Sequence, residues 1–281
     1  MNEPLFTSAL FGVASALSWG AGDFCGGLAT RKSNALVVVQ FSQLIGLALL
    51  IMLALTTHEQ LPAPADVVWG ALAGVAGLAG LAALYSALSR GNMGLVAPVT
   101  GVISTAMPVI FGALSQGWPH PSQILGFALA IAAVAFISTS GDTTASTHGL
   151  GLALIAGVSF GAFLILIAQA RHSSVFWPLS VARLAALIVL TTYLLVRRRV
   201  TVPAAGAVPF IFGSGILDAG GNFLYVLAAQ AGRVDVAGAL SSMYPASTVL
   251  LALTLLHERL RPWQWAGVLL SLAAIPLIVG V

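Results

Sequence analysis

Three ionisable side chains interrupt long apolar runs of this sequence: Asp23, Arg183 and Asp218. A charge held at mid-membrane depth costs about 2.5–3.5 kcal/mol by insertion scales, so such residues face a partner or a wet cavity rather than lipid. Asp218 is followed by Asn222 and Tyr225, four and seven positions on, which helical spacing puts on one face. A carboxylate, an amide and a phenol in a row can line a solute site, hold a proton, or tie helices together. Asp23 lies in Gly-Ala-Gly-Asp-Phe-Cys-Gly-Gly, Gly20 to Gly27, where small neighbours admit a ligand or another helix. It reads as a cation or proton site, or as a structural carboxylate paired with a helix end or with Arg183. Arg183 keeps its charge in almost any setting, which suits a carboxylate clamp or a structural partner for Asp23 or Asp218, not a proton relay. Trp19 and Tyr244 are further candidates for the wall of such a site.

The elements that must carry these residues are membrane helices. Of the 281 residues 59% are hydrophobic and 7% charged, and the mean hydropathy is +1.01. A soluble domain carries about 25% charge. The net charge of +3 comes from few residues at the ends of apolar runs, which marks topology determinants rather than a nucleic-acid surface. A single cysteine, Cys25, excludes an intramolecular disulfide. The five histidines are scattered, and no metal-ligand spacing, Walker loop or nucleophile elbow is present, so no cofactor or metal is expected. The start, MNEPLFTSAL, lacks a basic leader, so its first apolar stretch is expected to be a span, not a cleaved signal.

Apolar runs predict ten spans at about 5–29, 34–56, 66–89, 92–116, 122–140, 148–170, 175–196, 204–230, 234–256 and 263–281. The ninth carries Tyr244-Pro245 near its middle, and the fourth carries Pro98; both prolines are expected to bend or gate. Glu258 and Arg259 follow the ninth span as a helix-end anchor.

The chain repeats itself. Gly91, Ala106, Leu114, Pro121, Gln123 and Gly126 correspond to Gly232, Ser247, Leu255, Pro262, Gln264 and Gly267 at an offset of 141 residues, and the same offset relates Gly20 to Gly161. A slip of one or two residues is needed between, near Tyr85 and Tyr225. Two halves, 5–140 and 148–281, each with five spans, must enter the membrane in opposite senses, the inverted-repeat plan of secondary transporters.

Several motifs carry a family resemblance: Trp19-Gly20 with Phe24; Tyr85-Ser86-Ala87-Leu88 with Gly91 and Ala97-Pro98-Val99; Ser241-Ser242-Met243-Tyr244-Pro245 running to Glu258-Arg259-Leu260; and Gln264-Trp265-Ala266-Gly267. In this order the chain resembles the EamA-type branch of the drug/metabolite transporter superfamily, as two tandem modules over almost its whole length. The resemblance implies an all-α polytopic protein of the bacterial inner membrane, with ten transmembrane helices as two inverted five-helix repeats. It implies a secondary transporter, an exporter in many relatives, of a small metabolite or drug-like solute, surrounded by lipid, coupled to protons in one reading, and acting as monomer or homodimer without nucleic acid. The second half ends in His257-Glu258-Arg259 where the first has Gln116-Gly117, so the Glu-Arg signature occurs once. A non-transporting membrane sensor, or a membrane enzyme with a buried polar site, is the alternative. On orientation two indications differ. Arg31, Lys32, Arg90, Arg197, Arg198, Arg199, Arg259 and Arg261 lie opposite the termini and Arg171 and Arg233 beside them, which by the positive-inside rule puts both termini outside. The resemblance implies cytoplasmic termini.

Overall fold

The computed structural model describes residues 3–88, 93–139, 149–170, 174–198, 201–257 and 261–279. Among them every regular element is helical: α1 (Glu3–Thr30), α2 (Ala35–Thr56), α3 (Pro64–Leu88), α4 (Met93–Gln116), α5 (Pro121–Ser138), α6 (Leu150–Ile167), α7 (Phe176–Val196), α8 (Val208–Ala231), α9 (Val234–Ser241), α10 (Tyr244–Leu255) and α11 (Pro262–Val279). Ten segments are long and apolar enough to cross a membrane, α9 and α10 together making one. Their outward faces leave Leu17, Leu114, Ile188 and Leu269 exposed. Such a surface is costly in water and at home among lipid tails. This is a multi-pass membrane protein.

The helix contacts obey one symmetry. Exchange α1 with α6, α2 with α7, α3 with α8, α4 with α9–α10 and α5 with α11. The packing of α1 on α8 then becomes that of α6 on α3, α2 on α8 becomes α7 on α3, and α4 on α6 becomes α9–α10 on α1, while α2–α7, α4–α9 and α5–α11 map onto themselves. Reciprocal contact of this kind is the mark of a twofold relation. Side chains follow it at the 141-residue offset. Gly221 takes the ring of Trp19 as Gly80 takes the ring of Phe160, and Gly126 lies against Ile278 as Gly267 lies against Ile137. Gly20 receives Tyr244, Ser247 and Thr248 where Gly161 receives Ser104 and Met107. Each half has five spans, so the two repeats are inverted.

Among the described residues the ninth span is divided into two α-helices. The α9 ladder closes on Ser242 N–H to Gly238 and Met243 N–H to Leu240, and α10 begins at Tyr244. Pro245 has no N–H to give to Ser241 and sits instead in the first turn of α10, where none is needed. The bend expected at Tyr244-Pro245 is thus a break one residue earlier. All eight residues of α9 are buried, whereas Ala246 alone is buried in α10. Pro98 falls within α4 and its side chain lies outside the described residues, as do Glu258 and Arg259 entirely. Of the ten charges used for orientation, Arg31, Lys32, Arg197, Arg198 and Arg261 lie at the end opposite the termini and Arg233 at the termini end; Arg90, Arg171, Arg199 and Arg259 lie outside the described residues.

Candidate functional site

The interior polar residues are brought to one place by α1, α7 and α8. Ser18 Oγ donates to the Leu217 carbonyl at 2.7 Å, and a Cβ on Gly22 would stand 3.2 Å from Asp218 N. That close approach sets α1 against α8 at this level, and Asp23 and Asp218 line one cavity. Arg183 reaches across from α7. Its Nη2 donates to Asp218 Oδ2 at 2.6 Å and its Nη1 to Gln43 Oε1, on α2, at 2.7 Å. The Arg183 side chain is 6% exposed and that of Asp218 40%. Arg183 fits because Gly46 has no side chain: a Cβ there would come within 2.6 Å of Nη1. Of the two structural partners open to Arg183, Asp218 is the one it takes. Its Nη1 and Nη2 are each engaged, one with Gln43 and one with Asp218.

A cavity of about 400 Å³ lies on this cluster. Trp19, Asp23, Gln43, Arg183, Asp218 and Asn222 supply polar groups, and Leu78, Leu81, Phe163 and Leu190 supply apolar wall. A second cavity of about 260 Å³ adjoins it, reaching past Thr100, Pro245 and Val249 to Ser138, the last residue of α5. Asp23, Leu84, Ser104, Phe160, Ser242 and Tyr244 line both, so they form the waist between them. Trp19 meets Tyr244 edge-on at 6.2 Å. Thr248 Oγ1 donates to the Gly20 carbonyl at 3.1 Å, which docks the start of α10 on α1.

Tyr225 does not line either cavity. It is fully buried, donates its hydroxyl to the Leu164 carbonyl at 2.8 Å and stacks behind Trp19 at 5.9 Å. Asn222 lines the larger cavity and donates to the Asp218 carbonyl at 2.7 Å. Pro245 lines the smaller one. Sequence reasoning missed Gly46, Phe160 and Ser104. Phe160 had a usable signal, its place 141 positions after Trp19.

The end of the bundle that carries the termini is shut. Arg233 forms an ion pair with the buried Asp235 at 2.6 Å and donates to the carbonyls of Gln116 at 3.3 Å and Gly117 at 2.7 Å. Val234 N–H donates to Gln116 Oε1 at 2.9 Å. Ser8 Oγ donates to Ala228 O at 2.8 Å. Gly112 and Gly238 let α4 and α9 close on Asp235 and Pro108. The Gln116-Gly117 that replaces the Glu-Arg signature in the first half is therefore the seat of this closure; Gly117 takes φ of 89°, which a side chain would resist. Among the described residues no group of three or more His, Cys, Asp and Glu could hold a metal ion.

No curated protein matches the chain in sequence. A solved crystal structure matches it with a TM-score of 0.80, covering 96% of this chain and 97% of that chain at 17% identity, a likeness of fold. The model of the EamA-like transporter family matches twice, over residues 6–139 and 147–280. Together the two matches cover nearly the whole length, and the chain belongs to the EamA-like transporter family.

Proposed function

We propose that this membrane transporter is a secondary exporter of a small metabolite or drug-like solute in the bacterial inner membrane, working by alternating access at the cavity between its two repeats. The observation that carries the reading is the pair of joined cavities beside Asp23 and Asp218, reaching Ser138 at one end, together with the Arg233–Asp235 contacts that draw the termini end together. A carboxylate facing such a cavity can take up a proton in one orientation and release it in the other, so Asp23 and Asp218 are the candidates for coupling to a proton gradient. Asn222, Trp19 and Tyr244 complete the solute wall, Arg183 and Tyr225 position it, and Pro98 and Pro245 are assigned to bending of α4 and of the ninth span. Units 5–140 and 148–281 move as the two rocking bodies. The test is efflux of a solute panel from proteoliposomes with a pH gradient imposed and then removed, using the unaltered chain and Asp218→Asn. Net transport of at least one solute, weakened by the substitution, is expected. Leakage equal to that of empty liposomes for every solute overturns the reading, and undiminished transport by Asp218→Asn removes that residue from the site.

A further inference from the structure

The charges that line the larger cavity do not cancel. Asp23, Asp218 and Arg183 are its acidic and basic side chains among the described residues. Arg183 and Asp218 neutralise each other at 2.6 Å. Asp23 is left over: it is exposed within the cavities, and no hydrogen bond or ion pair from the described residues engages its carboxylate. Among the described residues it is also the sole acidic or basic side chain lining the smaller cavity, and because it lines both cavities it lies at the waist where the two meet. An uncompensated carboxylate among apolar walls is costly, and the arrival of a counter-charge offsets that cost. Trp19, one helical turn before Asp23, presents aromatic surface in the larger cavity, and Tyr244 does so at the waist. Ring faces, the negative side of the aromatic quadrupole, attract ammonium groups and repel anions.

We infer that the transported solute is a small organic cation, an ammonium group on an apolar body, and that Asp23 is its counter-charge. The inference rests on reading the cavity as the solute site. A carboxylate-bearing solute would have to share Arg183 with Asp218 and Gln43, which already engage both Nη atoms of a side chain only 6% exposed. Leu78, Leu81, Phe163 and Leu190 favour an organic body over a bare metal ion, which needs several oxygen ligands. The volume of about 400 Å³ is that of a small-molecule pocket.

Three probes of one skeleton separate the charges: 2-phenylethylammonium, 2-phenylethanol and 3-phenylpropanoate, titrated by calorimetry into the purified full-length chain at neutral pH. The ammonium should bind at least about tenfold more tightly than the alcohol, and the carboxylate more weakly than either. Asp23→Asn should bind the alcohol as before and lose the preference for the cation; Asp23→Glu should keep it. Equal or tighter binding of the alcohol or the carboxylate, a preference that survives Asp23→Asn, or binding of none of the three at millimolar concentration overturns the inference. Should Asp23→Asn also lose the alcohol, the ranking on the unaltered chain decides. Counterflow in proteoliposomes keeps the two readings apart. A preferred cation that binds without counterflow defeats transport and leaves the charge assignment standing, whereas counterflow of 3-phenylpropanoate alone defeats the cation and leaves transport standing.

Discussion

Arg183 Nη2 and Asp218 Oδ2 lie 2.6 Å apart across α7 and α8, and the same guanidinium holds Gln43 on α2. One side chain thereby joins three helices and cancels one of two carboxylates at the cavity. Arg183→Leu should lower stability by about 1–2 kcal/mol, below the 3–5 kcal/mol typical of a fully buried pair, because Asp218 keeps some exposure. Asp218→Leu should cost a similar amount, and the double substitution less than the two together. Unfolding in mixed detergent micelles measures this. Additivity within about 0.5 kcal/mol would mean that the pair contributes no coupling.

Gly46 tests the same geometry without removing a charge. Gly46→Ala puts a methyl where Arg183 Nη1 lies, so the guanidinium must move off Gln43 or Asp218. Overpacking of this kind costs about 1–3 kcal/mol. The expected result is a lowered unfolding temperature together with weakened solute binding. Gly46→Ala combined with Arg183→Leu should regain part of the lost stability, since the methyl then has room. A Gly46→Ala chain as stable as the unaltered one would show that the guanidinium has slack.

The spans were legible because lipid demands about twenty apolar residues in a row, a signal written locally, and Tyr244-Pro245 marked the region of the break for an equally local reason: proline has no N–H. The repeat was legible because an offset survives where identities do not. The choice Arg183 makes between Asp23 and Asp218 was not, since three helices must be docked before distance can choose. Tyr225 shares a helix face with Asp218 and Asn222, as the spacing predicts, yet α8 is flanked by α1, α2 and α9, and the far end of that face turns inward to Leu164. Gly46 carries no mark, because its role is to be empty beneath a side chain 137 positions away.

Glu59 shows the same limit in a cap. Its carboxylate, in the link between α2 and α3, accepts from the N–H groups of Val175 at 2.6 Å, Phe176 at 3.0 and 3.1 Å and Trp177 at 3.1 Å. These are the open donors at the start of α7, the positive end of the helix that carries Arg183. The partner is 116 residues away, so no capping motif announces it. Glu59→Gln removes the charge and one acceptor oxygen and should cost about 1–2 kcal/mol, read as a lower unfolding temperature. The ranking of charged and neutral probes should not change, because Glu59 lines neither cavity. A changed ranking with unchanged stability would contradict the assignment as a cap.

Arg233 bears on alternation itself. It bridges Asp235 on α9 to the carbonyls that end α4, and Asp235 is wholly buried. Arg233→Ala leaves that carboxylate unpaired only while the termini end is shut; opening would let water reach it. The substitution should therefore favour the open form by about 1–3 kcal/mol, the cost of an unsatisfied buried partner, and so by about fivefold or more in population. With Cys25 replaced by alanine, Ser241→Cys reports the termini side, since Ser241 is fully buried against Gly12. Val39→Cys, in the wall of the larger cavity, reports the other. A membrane-impermeant maleimide should label Ser241→Cys faster when Arg233→Ala is added, and Val39→Cys more slowly. Mere loosening would speed both, and that outcome would remove Arg233 from the alternating closure. Arg233→Lys should fall between, since an ammonium can keep Asp235 or a carbonyl of α4 but not the whole fork of contacts.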